Sequence, residues 1–402
     1  MPKTILYLCP SFPYPANNGG KAVFINHINF FKNNNFKIDV VFLDVDGNDA
    51  AENIGSVDKK DFESFEVFSR SVPRIKGFGS IIKSLFYFIF NKKPRAFLAR
   101  YNPQLQEFVL NKIRDFKYDH VIFDHFTSLA FIDNFEILKS CNSLYIAHNF
   151  EAKVIADQYK TMSNPITRLV YYIEYYKTIV LEKKIIEKTT ATITISSKDQ
   201  TELSDFYNNF KIKNIPEILP LSNRLWDFNS SKNILFVGGT DYYPNYEAVD
   251  WIVKVLMPEI NKLDKSINCT IVGNCENYSL KDISENITFS GRISDDELEN
   301  LYCSSNLFIS PVILGSGIKV KVLTALSYSI PLICTSESMY GIDYMNDLET
   351  IIFNREYLEL TAAKILKILN DKEEQIRISA SIRKSIKHNY ELINKQWALN
   401  EI

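Results

Sequence analysis

The chain has 402 residues, 46% of them hydrophobic and 23% charged, which is the composition of a globular protein with two to three domains. Its 46 basic and 48 acidic side chains leave a net charge of −2, and this balance argues against a general nucleic-acid binder, whose affinity rests on unopposed lysine and arginine. No segment approaches the roughly 18 apolar residues that cross a bilayer, and the N-terminus lacks the pattern of a signal peptide. The six cysteines form no C-x-x-C pair, so we expect free thiols in a reducing cytoplasm and no metal site.

Short apolar runs alternate with amphipathic stretches from the first residues onward. In the first half, the buried strands that we predict are Thr4–Cys9, 36–43, 120–123, 143–147 and 193–195. Amphipathic segments such as 22–33 lie between them and predict helices. Strands that alternate with helices are typical of βαβ units and a parallel sheet.

The alternation restarts after a mixed stretch that contains several proline, asparagine and serine residues. The second series of predicted strands is 234–237, 270–272, 287–289, 307–310 and 331–334. We therefore predict an α/β protein with two doubly wound, Rossmann-like domains. Their predicted bounds are 1–213, a linker 214–232, 233–380, and a C-terminal helix 381–402 that packs back on the first domain.

Ligands of open α/β sheets bind at the carboxyl ends of the strands, so the residues after each strand are candidates for function. Gly19 and Gly20 follow the first strand and precede a helix, where they either let a phosphate or sugar oxygen approach closely or form a plain turn. Asp44 and Asp46 follow the second strand. A D-x-D pair can hold a metal and a nucleotide diphosphate, but an acidic turn accounts for it better.

Two of the five histidines come directly after predicted strands of the first half. Asp124 and His125 follow one strand, and His148 and Glu151 follow the next. A histidine at a strand end can bond a sugar hydroxyl or transfer a proton near neutral pH, although it can also cap a helix.

Glycines follow the strands of the second half, at Gly238 and Gly239, at Gly273, and at Gly291 before Arg292. Each of them permits either a tight turn or the close approach of a ligand to the backbone.

The segment 315–321 carries the most information, because a Gly-Ser-Gly loop opens a helix with two lysines, Lys319 and Lys321, in its first turn. Cations at this end oppose the helix dipole, which favours anions. A bound diphosphate would compensate them and would gain both the backbone N–H groups and the ammonium charges. Two solvated lysines are the alternative.

The order and spacing of these motifs resemble those of GT-B glycosyltransferases, and are most similar to family 4. The matching pieces are the Gly19-Gly20 loop, His148-Asn-Phe-Glu151, Ser196-Ser-Lys-Asp199, Phe236-Val-Gly-Gly239, Ile271-Val-Gly273, Ser290-Gly-Arg292, the stretch 311–326, and Pro331-Leu-Ile-Cys-Thr335. The resemblance implies two Rossmann-like domains that face a central cleft. It also implies transfer of a sugar from a nucleotide-sugar donor to a saccharide or lipid-linked saccharide acceptor in surface polysaccharide synthesis, with retention and without a metal or cofactor.

The resemblance assigns roles to individual residues. The residues expected to bind the donor are Gly19, Gly20, Gly238, Gly239, Gly273, Arg292, Ile293, Gly315, Ser316, Gly317 and Thr324. The expected catalytic residues are His148 near the reacting carbon, with Lys319 and Lys321 on the leaving diphosphate. Asp124, His125 and Glu151 are expected to meet the acceptor.

This chain departs from the family pattern at three positions. Many members carry two glutamates eight residues apart where this chain has Ser316 and Thr324, and Tyr340 stands where relatives often have glutamate. Threonine bonds ribose hydroxyls less strongly than a carboxylate does. The alternatives are therefore a weakened or non-enzymatic nucleotide-sugar-binding protein, or another GT-B enzyme such as a nucleotide-sugar epimerase.

The segment 67–106 contains eight basic residues and no acidic one, and includes the aromatic run 81–90. Such a segment predicts contact with an anionic membrane surface, which would place the protein peripherally on the inner face of the cell membrane. A core helix with solvated lysines around it is the alternative. A second aromatic stretch, 169–180, is predicted to be helix core.

Overall fold

The computed structural model describes residues 2–16, 18–45, 49–70, 91–209, 211–217, 222–279, 283–315, 317–342, 345 and 351–398. The chain divides into two compact units. Unit 1 comprises residues 1–217 together with 396–402, and unit 2 comprises residues 218–395.

Unit 1 is built on a seven-stranded parallel sheet in the order β3-β2-β1-β4-β5-β6-β7, counted over the residues that the structure describes. Its strands are β1 (Thr4–Cys9), β2 (Lys37–Asp44), β3 (Ser64–Ser69), β4 (His120–Asp124), β5 (Ser143–Ala147), β6 (Ala191–Thr194) and β7 (Ile212–Asn214). The central strands are buried along their length, as the near-continuous apolar runs predict. The strand order reverses between β1 and β4, so the carboxyl ends of these two strands mark the expected ligand position.

Unit 2 has a parallel sheet of six described strands in the order β10-β9-β8-β11-β12-β13. These strands are β8 (Asn233–Val237), β9 (Asn268–Val272), β10 (Ile287–Gly291), β11 (Leu307–Ser310), β12 (Leu332–Cys334) and β13 (Ile351–Ile352). The order reverses between β8 and β11, and the loops after those strands are the expected ligand position of this unit.

Helices connect the strands in both units. In chain order they are α1 (Gly19–Asn33), α2 (Asp49–Asn53), α3 (Arg95–Leu98), α4 (Pro103–Asp115), α5 (Glu151–Thr161), α6 (Pro165–Lys188), α7 (Ser197–Tyr207), α8 (Tyr243–Trp251), α9 (Met257–Leu263), α10 (Asp295–Ser304), α11 (Val320–Tyr328), α12 (Leu358–Asn370) and α13 (Lys372–Trp397). Several begin at side-chain caps that the sequence supplies. Asn18 caps α1 by accepting the N–H of Lys21, and Ser294 forms a capping box with Glu297 at α10.

The α/β class and the two parallel sheets confirm the predicted fold, and each predicted strand has an observed counterpart within a few residues. Three further strands, β3, β7 and β13, were not predicted. All three lie at sheet edges. The side chains of β3 are only partly buried, and β7 and β13 have three and two residues, so none of them shows a long apolar run.

The prediction that 169–180 is helix core is wrong. Leu169, Tyr172, Tyr176 and Val180 lie at intervals of three and four residues along α6, and all four are exposed. Three-to-four spacing identifies one face of a helix but not whether that face is covered. The opposite face of α6 carries its buried residues.

The predicted membrane-binding segment 67–106 includes residues 71–90, which lie outside the described residues. Asp46 and Ser316 lie outside them as well. Within the described part of the segment, Lys93 forms an ion pair with Asp133, and Arg95 forms one with Glu174. The membrane contact stays a prediction.

Candidate active site

Three glycines at the ends of β8 and β9 lie backbone against backbone. A Cβ on Gly238 would stand 2.6 Å from Lys321 Nζ, and a Cβ on Gly273 would stand 2.6 Å from the carbonyl carbon of Gly238. A Cβ on Gly239 would stand 3.2 Å from the carbonyl oxygen of Asn274. Gly273 also has a φ of +137°, which side-chain-bearing residues rarely adopt. These three predicted site residues are therefore brought together, with Lys321 against them.

We expect Gly273→Ala to lower the free energy of unfolding by about 3 kcal/mol or more, because backbone strain at positive φ adds to a clash with a neighbouring backbone that cannot rotate away. Urea denaturation measures this change. Gly291→Ala is the matched control, since Gly291 has a φ of +65° but no atom within 4 Å of its added Cβ. It isolates the strain and should cost about 1–2 kcal/mol. Equal costs for the two variants would contradict the close packing of these loops.

Lys319 supports its own loop rather than extending from the helix. It precedes α11 as the N-cap residue, and its Nζ donates to the carbonyl oxygens of Gly315 at 2.8 Å and Gly317 at 2.9 Å. Both glycines have positive φ, +86° and +78°, which turns these carbonyls toward the lysine. Burial lowers the pKa of Lys319 to about 8 against the opposing charge of Glu337. The contact of Lys319 with a diphosphate stays a prediction.

Lys321 lies in the first turn of α11, where its ammonium group is enclosed. Its Nζ donates to Asn245 Oδ1 and lies 4.5 Å from the centroid of the Phe236 ring. Burial, and then the charge of Lys319, lower the pKa of Lys321 to about 7. Within the described parts of the chain, no carboxylate forms an ion pair with either lysine. A desolvated cation without a counter-charge at a helix N-terminus is a position where an anion would be stabilised.

A cavity of about 520 Å³ lies beside these loops, at the carboxyl ends of β9 and β10. Its lining residues are Asn274, Cys275, Glu276, Phe289, Gly291 and Arg292. This volume falls within the range of small-molecule sites in proteins. Arg292 therefore lines a cavity, as expected for a donor-binding residue, whereas Ile293 is not among the lining residues.

Thr324 lies one turn into α11, and its hydroxyl donates to the carbonyl oxygen of Val320 at 3.0 Å. The oxygen of this hydroxyl keeps its acceptor capacity, but its proton is used within the helix. Thr324 can therefore accept a hydrogen bond from a ribose hydroxyl more readily than it can donate one.

Asp124 is the centre of the candidate site in unit 1. It is fully buried at the end of β4, where it accepts hydrogen bonds from three donors. The donors are His148 Nε2 at 2.6 Å, His27 Nδ1 at 2.7 Å, and the hydroxyl of Tyr7. These positive and polar neighbours outweigh burial and hold the pKa of Asp124 far below its ordinary value. Such burial suits Asp124 to orienting His148 rather than to meeting an acceptor directly.

His125 and Glu151 lie beside His148. The ring of His125 is 5.2 Å from that of His148, and its Nε2 is 3.5 Å from Glu151 Oε1. Burial raises the pKa of Glu151 to about 7, whereas burial and the neighbouring charges of His148 and Arg100 lower the pKa of His125. The structure thus brings four predicted site residues of unit 1 together.

Gly19 and Gly20 form the first turn of α1 rather than a loop before it. The same helix carries Phe24, whose ring is 5.2 Å from that of His148. The helix therefore packs beside the histidine, while its two N-terminal glycines remain exposed.

Two residues that support His148 were not predicted from the sequence. His27 is completely buried in the middle of α1 and bonds Asp124. Glu182, also fully buried, accepts the backbone N–H groups of Glu151 at 3.0 Å and Ala152 at 3.2 Å, so it fixes the start of α5 just after His148. A glutamate among apolar helix neighbours was the available indication for Glu182. His27 offered none, because its partner is 97 residues away.

The ligand atoms of His27, Asp124 and His148 all lie within 4.8 Å of one another, which is a spacing that a metal ion can bridge. The direct hydrogen bonds from the two histidines to Asp124 account for the same spacing without a metal ion.

We find no candidate membrane-spanning helix in the described part of the chain, since its helices lack a sufficiently long apolar stretch.

Comparison with known proteins identifies the second half of the chain. Residues 231–371 match the family model described as glycosyl transferases group 1. An uncharacterised 44.6 kDa protein in the cps region of Klebsiella pneumoniae is 24% identical over 365 residues, which cover 88% of each chain.

Solved structures share the fold over nearly the whole length. TarM of S. aureus superposes with a TM-score of 0.69 at 12% identity and covers 98% of both chains. HepE of Anabaena, solved with UDP and glucose, gives a TM-score of 0.60 at 11% identity and also covers 98% of both. The chain therefore has the GT-B fold with a group 1 glycosyl transferase domain in its second half, and the protein is a glycosyltransferase.

Proposed function

We propose that the protein transfers a sugar from a nucleotide-sugar donor to a saccharide or lipid-linked saccharide acceptor during synthesis of a surface polysaccharide. The observation that carries this proposal is the pair Lys319, which is buried, and Lys321, which is partly buried, at the switch point of unit 2, with no carboxylate partner among the described residues. The relative in the cps region of K. pneumoniae and the HepE structure with UDP and glucose support the polysaccharide context and the donor class.

The donor diphosphate would lie at the N-terminus of α11. When the bond to the sugar breaks, negative charge develops on the leaving diphosphate, and fixed positive groups lower the barrier. Lys321 supplies an ammonium group that is already desolvated, and the free N–H groups of α11 add the helix dipole. Lys319 holds the carbonyls of Gly315 and Gly317 and so presents the loop to the phosphates. This arrangement stabilises the leaving group without a metal ion.

The nucleoside would occupy the cavity at the ends of β9 and β10. Arg292 would lie beside the base, with Ile293 next to it in the chain, and Thr324 would accept a hydrogen bond from the ribose. Gly238, Gly239 and Gly273 would let the backbone approach the donor, because none of the three carries a Cβ.

His148 would contact the transferred sugar near the reacting carbon. Because its Nε2 donates to Asp124, the neutral imidazole keeps its lone pair on Nδ1, which can then accept a hydrogen bond from a sugar hydroxyl. His125 and Glu151 are the neighbouring groups for the acceptor, and retention of configuration is the expected outcome.

The test is stabilisation of the protein by UDP-, GDP- and ADP-linked sugars, because a ligand at 100 times its dissociation constant stabilises by about 2.7 kcal/mol. We expect one nucleotide class to raise the melting temperature. If none of them does, the protein does not bind a donor of this class and the proposal is wrong.

We further expect donor binding at pH 8.5 to take up more than one proton from the buffer. The pKa values of about 7 for Lys321 and about 8 for Lys319 leave both mainly neutral at this pH, and a bound pyrophosphate restores their charge. Calorimetry in two buffers with different heats of ionisation counts the protons. A nucleotide sugar has no titrating phosphate of its own in this range, so the uptake belongs to the protein. The uptake should vanish at pH 6, and equal uptake at both pH values would contradict the assignment.

A further inference from the structure

Both ring nitrogens of His27 face a carboxylate. Nδ1 lies 2.7 Å from Asp124 Oδ2, and Nε2 lies 3.2 Å from Glu217 Oε2. A neutral imidazole presents an N–H to only one of these two anions, whereas an imidazolium presents one to each and carries the charge that attracts both. The approach of Nε2 to Glu217 Oε2 is a contact between charges rather than an aligned hydrogen bond. Burial opposes the charge, but the two carboxylates outweigh it and raise the pKa of His27 to about 10. His27 is therefore a buried cation in the middle of an apolar helix face.

The other groups around His27 come from the places where the chain leaves and re-enters unit 1. Glu217 is the last residue of the first segment of this unit, and Trp397 lies in the returning segment. The ring of Trp397 is 4.7 Å from that of His27, and its indole N–H donates to the carbonyl oxygen of Pro216 at 2.8 Å. Trp397 is fully buried. Both chain segments are thus joined at one imidazolium.

His27 also determines which carboxylate oxygen of Asp124 is left for His148. His27 and the hydroxyl of Tyr7 both donate to Oδ2 of Asp124, which leaves Oδ1 for His148 Nε2. The two imidazole rings are 6.1 Å apart. At that distance a charge on His27 disfavours a second charge on His148.

We propose that His27, Glu217 and Trp397 are positioning residues that set the orientation and proton position of His148 through Asp124. The segment ends 216–217 and 397 hold the His27 imidazolium, the imidazolium holds Oδ2 of Asp124, and Oδ1 then holds the Nε2–H form of His148. The importance of His148 rests on the proposed function, but the linkage itself is measurable without any substrate.

The experiment is nitrogen-15 NMR of the full-length protein with labelled histidines. The chain contains five histidines, so the signals can be assigned one by one. Each ring nitrogen reports whether it carries a proton. In the parent protein at pH 8 we expect His27 to show two protonated nitrogens and neutral His148 to carry its proton on Nε2. The exposed His388 serves as an internal reference. A singly protonated His27 at pH 8 would overturn the proposal.

Two isosteric changes should move His148 in opposite directions. His27→Gln removes the cation beside Asp124, so His148 takes over as counter-ion and its protonation equilibrium shifts tenfold or more toward the charged form. Glu217→Gln removes one of the two anions that compensate the charge of His27. The less compensated His27 then repels a charge on His148 more strongly, so His148 shifts toward its neutral form. Glu187→Gln, an exposed change on α6, is the matched control for lost negative charge. A merely structural role would not give opposite shifts, so shifts of the same sign, or none, would overturn the linkage.

The other titratable groups that face His148 are His125 and Glu151, and neither is altered in these variants. If His27→Gln fails to fold, Trp397→Phe keeps an aromatic ring over His27 but loses the bond to Pro216. The signals of His27 and His148 should then shift together, and movement of His27 alone would contradict the proposal. Stabilisation by a nucleotide sugar is measured in parallel. Its absence would count against the donor-binding function, while the NMR result would still decide the linkage.

Discussion

Lys321→Met is expected to weaken binding of a nucleotide sugar by about 10²–10³-fold while raising the stability of the unliganded protein. Truncation of one partner of a buried charge pair typically costs about 2–5 kcal/mol of affinity. In the unliganded protein none of the described carboxylates pairs with this ammonium group, and a methionine of similar length fills its place beside Phe236 without a desolvation penalty. A gain on the order of 1 kcal/mol is expected.

The stability gain from Lys321→Met should depend on pH in a definite direction. The pKa of Lys321 in the folded protein is about 7, below the ordinary lysine value of 10.5, so the unfolded chain binds more protons between these values. The stability contributed by Lys321 is therefore complete above pH 10.5 and is lost as the pH falls toward 7. The advantage of Lys321→Met should accordingly be larger at pH 7 than at pH 10.

Thermal melts of the parent and the variant, with and without nucleotide sugar, measure both effects. Lys265→Met removes the same charge from an exposed position of unit 2 and should leave both melts almost unchanged. A variant that melts lower than the parent and is still stabilised by the nucleotide sugar would refute the phosphate-binding role of Lys321.

Asp124→Asn is expected to lower the free energy of unfolding by about 3–5 kcal/mol. Three donors point at the carboxylate, from Tyr7, His27 and His148. An asparagine amide offers only one oxygen, so its NH2 group must face at least one of these donors. The charge of the His27 imidazolium also loses one of its two anions.

Urea denaturation at pH 7 measures the cost of Asp124→Asn. Asp133→Asn is the control, because Asp133 pairs with Lys93 at the surface, where such pairs contribute about 0–1 kcal/mol. Equal costs for the two variants would show that the buried network contributes nothing beyond a surface ion pair.

The sequence predicted the central strands well because a buried parallel strand must be apolar along its whole length. The edge strands β3, β7 and β13 escaped prediction because they lack such a run, since β3 is covered only in part and the other two are very short. In α6, periodicity located a face with Leu169 and Tyr176 but could not reveal that the face is uncovered. Coverage depends on neighbours that are distant in the chain.

The candidate site shows a similar limit. Glycines and lysines after the strands were found because they follow predictable strand ends. His27 and Glu217 were missed because their importance arises from partners far away along the chain, Asp124 for His27 and His27 for Glu217. Lys319 was expected in the first turn of the helix, whereas it is the N-cap residue and its side chain bonds the carbonyls of its own loop.

The interlocked glycines at the ends of β8 and β9 have a consequence for redesign. Their backbones pack so closely that none of the three positions has room for a side chain. Substitution at these positions is therefore not a route to a changed donor preference. The side chains available for variation line the cavity instead, where Cys275, Glu276 and Phe289 form part of the wall.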